Sequence, residues 1–385
     1  MSAPKVVVVG AGLGGLTAAI ALRRAGVEVA LCDRARSLQS IQHGIGMIVF
    51  PNGVRALEHV GLLGAVKTIG APLETLEINT GSGRQLATWE IGDVGRRLGV
   101  PSLAVSRSEL LGALAGAYEG EITFGARFES YAEDAGGVTV RFEDGAEIRG
   151  DALIGADGVV SRIRRQVTGK GPPEFPPYAG YTTWHAIIGF EDTSVPAERF
   201  VLYFGRGSRF GHFRLDDERV YWSGIGYVPP GGESDVNKDE VLEVFDGYGG
   251  PVRALIEATE RLQRHDIYGG VSLGSWGAGR VTVLGDAAHP MTTNLGQGVG
   301  MAIEDGVVLG QCFEREMDPV AALRAYEARR IERTDTMMAL ANRLNSNAAQ
   351  ESLPRVWLRN LVIARGFRRG VARRYEQFIE SEALA

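Results

Sequence analysis

The chain has 385 residues, 44% of them apolar and 23% charged, with a formal net charge of −6. That acidic balance excludes a general nucleic-acid binder, which needs a basic surface. The length allows two or so domains, each with its own core. The two cysteines, Cys32 and Cys312, are too few and too far apart for a disulfide framework, so reduced thiols and a cytoplasmic setting are expected.

The N-terminus reads at once as a β-strand, the β-branched run Lys5–Val9. It lacks a basic leader and breaks at Gly10, unlike a signal peptide. No run is long and apolar enough to span a bilayer. Helical periodicity over residues 12–25 and a strand over 27–32 complete a β-α-β unit, the start of a doubly wound sheet. After a mixed stretch to about Val100, the pattern predicts a helix over 106–118, capped by Ser106 or Ser108. Short antiparallel strands follow across 122–142, turning at 134–137, and then a buried strand over 151–154.

Residues 171–177, Gly-Pro-Pro-Glu-Phe-Pro-Pro, read as a linker. Strands rich in Tyr, Trp and Phe fill 178–227 and end at Pro229-Pro230-Gly231-Gly232. Short helices are expected over 238–245 and 252–259, a strand over 281–284, and helices from Gly298 onward. The expected fold is α/β: a Rossmann-like nucleotide-binding domain (1–70, 101–170 and 276–310) interrupted by a β-rich substrate domain (71–100 and 171–275), with C-terminal helices (311–385).

Three motifs carry chemistry. In Gly10-Ala11-Gly12-Leu13-Gly14-Gly15 the first glycine permits a tight turn, the second lets backbone approach a pyrophosphate, and the third lets helix and strand pack closely. The helix start offers free N–H groups and a positive dipole end to phosphate. Asp33 ends the second strand, 18 positions after Gly15, near the spacing of a ribose-binding acid. In the second motif, Leu153 to Gly158, a strand ends on Asp157-Gly158 before a helix with Ser161 and Arg164. The third runs from Leu284 to Asp305: a strand stops at Gly285-Asp286, a turn holds His289 and Pro290, and Gly296-Gln297-Gly298 opens a helix.

In this order the motifs resemble the para-hydroxybenzoate-hydroxylase-like, class A FAD monooxygenases. Within that class they resemble the urate hydroxylase and zeaxanthin epoxidase branch. Asp33-Arg34, Arg107 in Ser106-Arg107-Ser108-Glu109-Leu110, and Phe50-Pro51-Asn52-Gly53-Val54-Arg55 share the resemblance, which covers about residues 5–333. It implies FAD as cofactor, NADH or NADPH as reductant, O₂ as co-substrate, and hydroxylation of an aromatic or heteroaromatic small molecule through a flavin C4a-hydroperoxide.

Carried onto this chain, the resemblance places Gly10, Gly12, Leu13, Gly14 and Gly15 under the pyrophosphate and Asp33 with Arg34 at the adenosine ribose. Arg107 falls at the phosphate or ribitol, Phe128 at the adenine and Asp157 at a second FAD contact. Asp286 falls at the ribitol hydroxyls, Pro290 in the cofactor-binding loop, and the backbone of Gly296, Gln297 and Gly298 at the pyrimidine edge of the flavin. His289 reads as a residue that fixes the loop.

On the substrate side Arg209 could hold an anionic or carbonyl-bearing ring, and Tyr221 or His212 could take a proton from it. Trp184, Tyr203, Trp222 and Thr293 are candidate substrate contacts. Thr293 stands where relatives usually carry proline. No metal site and no nucleic-acid partner is expected, and a monomer or homodimer fits. The arginine-rich, amphipathic stretch 355–374 reads as a packed helix with a basic face, or as a weak membrane-surface contact without insertion. Rival readings are an epoxidase acting on an alkene, polyketide or isoprenoid, a prenyl reductase, a flavin halogenase, and a non-catalytic binding protein.

Overall fold

The computed structural model describes residues 3–41, 44–172, 174–231, 237–381 and 384. Pro173, in the expected linker, and Gly232, at the end of the aromatic-rich segment, lie outside them. The centre is a five-stranded parallel sheet in the order Val281–Val283, Ala152–Gly155, Lys5–Val9, Glu28–Asp33, Ile122–Phe124. Val6 to Val8 and Leu153 to Ile154 are fully buried, as strands covered on both faces must be. Ile122–Phe124 thus belongs to the parallel sheet. Only Phe128–Asp134, Gly137–Phe142 and Glu147–Gly150 form the antiparallel unit that follows.

Two helices cover one side of the parallel sheet by unusually close contact. The helix Leu13–Arg24 meets the helix Gly298–Arg315 through glycines. A Cβ on Gly306 would lie 2.6 Å from the Ala18 nitrogen, and one on Gly310 2.6 Å from the Ala21 Cβ. The helix Arg107–Ala117 is capped by the Ser106 hydroxyl, which accepts from the Glu109 N–H.

The second large unit is a seven-stranded sheet in the order Gln263–Tyr268, Tyr178–Gly189, Arg219–Gly226, Ser208–Arg214, Arg199–Phe204, Thr75–Thr80, Gln85–Trp89. It is antiparallel except where Arg199–Phe204 runs parallel to Thr75–Thr80. Its two faces have different neighbours. One packs on the helices Lys238–Val244 and Val252–Glu257 in a core with Trp184, Tyr203, Phe210 and Trp222. The other looks toward the parallel sheet and the C-terminal helices. A three-stranded antiparallel sheet takes Gly46–Val49 and Ala71–Leu73 from the region that reads as mixed in the sequence and Ser102–Ser106 from just beyond it. The long helix Pro319–Ala348 and the helix Leu353–Gly366 follow, with Arg373–Glu380 after them. No helix among the described residues is long and apolar enough to cross a membrane.

Candidate active site

One cavity of 1620 Å³ runs from the Gly10 turn to the seven-stranded sheet. That exceeds an ordinary small-molecule site of about 300–1,000 Å³, so there is room for a large cofactor and a second molecule. Gly10 turns the chain with φ +113. A Cβ there would sit 2.1 Å from the Ala156 carbonyl oxygen, and one on Gly15 1.9 Å from the Gly10 carbonyl oxygen. Both glycines are required by packing. Gly12 and Gly298 are not: a Cβ on either meets nothing within 4 Å, and both line the cavity.

Charged groups converge on this end. Asp33 accepts from the Ala11 N–H at 2.6 Å and from the Ala35 N–H at 2.7 Å. Each oxygen keeps a lone pair for a ligand hydroxyl. Arg107 stands between Asp33 and Asp286 and donates to the Ile41 carbonyl at 2.5 Å. Burial pulls its pKa down, and the two carboxylates partly restore it. The Asp286 carboxylate opens into the cavity yet lies deep in the molecule. That depth pushes its pKa up, against His289, Arg107 and Arg164. It has no hydrogen bond to protein among the described residues. An acid left open beside glycine-lined space and an arginine fits the hydroxyls and phosphates of FAD.

Not every candidate of this group turns inward. Asp157 lines the cavity, but its carboxylate is engaged by the Ser161 hydroxyl at 2.5 Å and the Arg162 N–H at 2.8 Å. It therefore fixes the turn that faces Gly10. Phe128 lines the cavity, while its carbonyl is taken by Arg162 at 2.9 Å. Pro290 does not line the cavity; its carbonyl accepts from the Gly270 N–H at 2.9 Å. The Gln297 side chain is buried and points away, donating to the Tyr375 hydroxyl at 2.7 Å and accepting from Asn52 at 3.0 Å. Leu13, Gly14, Arg34 and Gly296 line the cavity.

The loop that carries Asp286 is clasped from behind. Asp305 accepts from the Gly285 N–H at 2.9 Å and pairs with His289 Nε2 at 2.5 Å and Arg330 Nε at 2.6 Å. Burial opposes its ionisation, but His289 and Arg330 outweigh this and hold its pKa down to about 2. Glu304 pairs with Arg330 at 2.6 Å and Arg333 at 2.8 Å and accepts from Asn52 at 2.7 Å. Tyr375, far along the chain, donates to the Leu295 carbonyl at 2.8 Å. His289 is indeed a loop-fixing residue. Asn52, Arg330 and Tyr375 have partners remote in sequence, so no local motif marks them for this role.

The far wall is the seven-stranded sheet, and strand alternation decides which residues reach it. Register pairs Leu202 with Gly211, Gly211 with Ser223, and Ser223 with His185; on the same face Phe204 pairs with Arg209 and Phe213 with Tyr221. These residues line the cavity. Trp184, Tyr203, His212 and Trp222 lie on the opposite face and do not line it. Phe210 stacks on Trp222 at 5.1 Å, and Trp222 Nε1 donates to Thr259 at 2.9 Å. These four candidates are corrected to core residues. The His212 ring is buried and its nitrogens have no hydrogen-bond partner among the described residues, and burial lowers its pKa to about 4.

Arg209 and Tyr221 are inside. Arg209 donates to Asn294 Oδ1 at 2.6 Å. Tyr221 packs so tightly on Gly46 that a Cβ there would lie 2.3 Å from its ring, next to the Ile45 carbonyl that accepts from the Arg107 N–H. Burial pushes its phenol well above the usual range, against a hydrogen bond from Ser223. Thr293 is open to the cavity, and its N–H donates to the Tyr181 hydroxyl at 2.9 Å. His265, on the Gln263–Tyr268 strand that sequence reading missed, stacks on His185 at 4.9 Å. His185 lies 6.0 Å from the Tyr221 ring.

The FAD binding domain family matches residues 4–341, and the chain belongs to it. It is an FAD-dependent monooxygenase of the class A kind. It is similar to the aurachin C monooxygenase/isomerase of Stigmatella aurantiaca, with 33% identity over 360 residues and 92% of either chain. It is likewise similar to the FAD-dependent urate hydroxylase of Klebsiella pneumoniae, with 34% identity over 348 residues, 88% of this chain and 89% of that one. Among solved structures, Klebsiella pneumoniae HpxO complexed with FAD and uric acid matches with a TM-score of 0.91 at 30% identity, covering 99% of this chain and 98% of that one.

Proposed function

We propose that the protein uses NAD(P)H and O₂ to hydroxylate an aromatic or heteroaromatic ring that carries an apolar substituent, with the ring held against the Arg209–Tyr221 face. The carrying observation is the single cavity that joins the FAD cradle to that face. The uric acid complex of the Klebsiella structure supports a heteroaromatic ring. Phe200, Leu202, Phe204 and Phe213 on the sheet, with Ile363 and Phe367 opposite, make an apolar sleeve beyond Arg209, which supports the apolar substituent. The sleeve also favours a second reading, epoxidation of an alkene within such a substituent. Free, buried Cys32 and Cys312 support a reducing, cytoplasmic setting.

When bound, FAD supplies reduction by NAD(P)H and transfer of one oxygen atom of O₂. Asp33, Arg107, Asp286 and the backbone at Gly12 and Gly298 would hold it. The N-terminus of the helix Gly298–Arg315 faces the cavity and favours negative charge there by about 1–2 kcal/mol. Arg209, steadied by Asn294, orients a carbonyl or anionic group of the ring. Tyr221 donates a hydrogen bond rather than taking a proton, because burial weakens its acidity. The proton released by a ring O–H or N–H passes to the stacked His185 and His265. The sleeve excludes water from the reacting atoms.

Purified protein is expected to be yellow and to oxidise NAD(P)H faster with a phenol, purine or quinolone from a panel. The product gains one oxygen, on the ring for hydroxylation or as an epoxide for the second reading. A colourless protein that rejects added FAD, or one stimulated by no ring compound, would overturn the reading.

A further inference from the structure

We infer that the helix Leu353–Gly366 is a docking face for an anionic membrane surface, set beside the mouth of the substrate cavity. The helix turns an apolar face outward: Leu353 is 64% exposed, Trp357 65%, Leu358 53% and Val362 60%. A helix that packs only on its own protein buries such residues. Leu358 and Val362 also line the cavity, so the outward apolar face runs without a break into its interior. The face buried in the protein carries Arg359, whose guanidinium bonds the Phe204 carbonyl at 3.3 Å and lies 5.6 Å from the Phe204 ring.

Charge selects the occupant. Between Ser352 and Tyr375 the chain has seven arginines and no acidic residue, although its net charge is −6. All but Arg359 are exposed: Arg355, Arg365, Arg368, Arg369, Arg373 and Arg374. None of these six makes an ion pair among the described residues. Apolar residues including a tryptophan, flanked by unneutralised cations, match the chemistry of an anionic bilayer surface, where the apolar face enters the headgroup boundary and the arginines meet lipid phosphates. A second copy is a poorer fit, because a two-fold contact would set the same arginines against each other. No helix among the described residues is long and apolar enough to cross a membrane, so the proposed contact is peripheral.

Use of this face for substrate entry rests on the proposed function, since a ring with an apolar chain partitions into lipid; the docking itself does not. The test is flotation of the full, FAD-loaded chain with vesicles of phosphatidylcholine alone and of phosphatidylcholine with phosphatidylglycerol. Binding to the anionic vesicles is expected, at least about tenfold weaker at high salt or on the neutral ones. The Leu353→Ser/Trp357→Ser and Arg365→Glu/Arg368→Glu variants should each bind about tenfold more weakly. Neither pair lines the cavity, so flavin absorbance and NAD(P)H oxidation with a water-soluble ring compound should be unchanged.

No binding to either vesicle would overturn the inference, as would equal binding to both. A solution dimer that Leu353→Ser/Trp357→Ser converts to monomer would assign the face to a second copy instead. Flotation requires no turnover, so failed docking and failed hydroxylation are separate results.

Discussion

Gly12 and Gly15 belong to one motif but answer to different neighbours. Gly15 has no room for a methyl group, since its Cβ would fall 1.9 Å from the Gly10 carbonyl oxygen. Gly12 has room in the protein and faces the cavity. Gly15→Ala should therefore lower the stability of the FAD-free protein by about 1–3 kcal/mol. Gly12→Ala should leave it nearly unchanged and weaken FAD binding at least about tenfold, as the added methyl pushes the pyrophosphate off the helix start. Melting curves and flavin titration of both variants decide this; equal melting temperatures would refute the division.

Thr293 is the second instructive position, because its N–H donates to the Tyr181 hydroxyl and proline has no N–H. Thr293→Pro should stay yellow, lose about 1 kcal/mol of stability, and change the ratio of product formed to NAD(P)H consumed. Thr293→Val keeps the N–H and is the control. An identical ratio in all three proteins would make the position structural only.

Elements explain what a reader of the sequence could and could not see. Four strands of the parallel sheet are legible because buried strands are continuous apolar runs, the half-exposed Ile122–Phe124 is not, and the glycine turn announces its own geometry. Arg209 and Tyr221 were legible through resemblance. The rest of the wall was not, because both faces of the seven-stranded sheet carry aromatic residues. Alternation says that Trp184 and His185 point oppositely, but not which of them points inward. The outer face belongs to helices contributed by 238–257, a contact that no local pattern announces. His265 was lost with its strand, whose Gln-Arg-His-Asp-Ile-Tyr sequence shows no apolar alternation.

This assignment of faces has a kinetic consequence. His212→Leu should leave the pH profile of kcat unchanged, whereas His185→Asn and His265→Asn should each shift its acid limb and lower kcat about 10²–10⁴-fold. A profile moved by His212→Leu would return that residue to the site.

For the whole molecule, two buried groups contribute to the response to acid in opposite parts of the range. His212 stays neutral in the fold down to about pH 4, against 6.5 for a free imidazole. The unfolded chain therefore takes up a proton that the fold refuses, and stability falls as pH drops from about 6.5 to 4. Asp305 works lower: its pKa is held to about 2, against 3.8 for a free carboxyl. Its contribution is complete above pH 3.8 and disappears as pH falls through about 2. Each amounts to something on the order of 2 kcal/mol. Denaturant melts from pH 7 to 3 should show the upper decline in the native chain and a flatter one in His212→Leu. An unchanged slope in the variant would remove His212 from the account.

The hydrogen bond from Tyr375 to the Leu295 carbonyl spans 80 residues of chain. Synthesis runs from the N-terminus, so the parallel sheet and the glycine turn are available long before residue 375 exists. The turn at Gly10 can therefore form while the loop at Leu295 still lacks this tether. Removal of Tyr375 by a protease should leave the Leu295 carbonyl without this bond and the Gly10 turn intact.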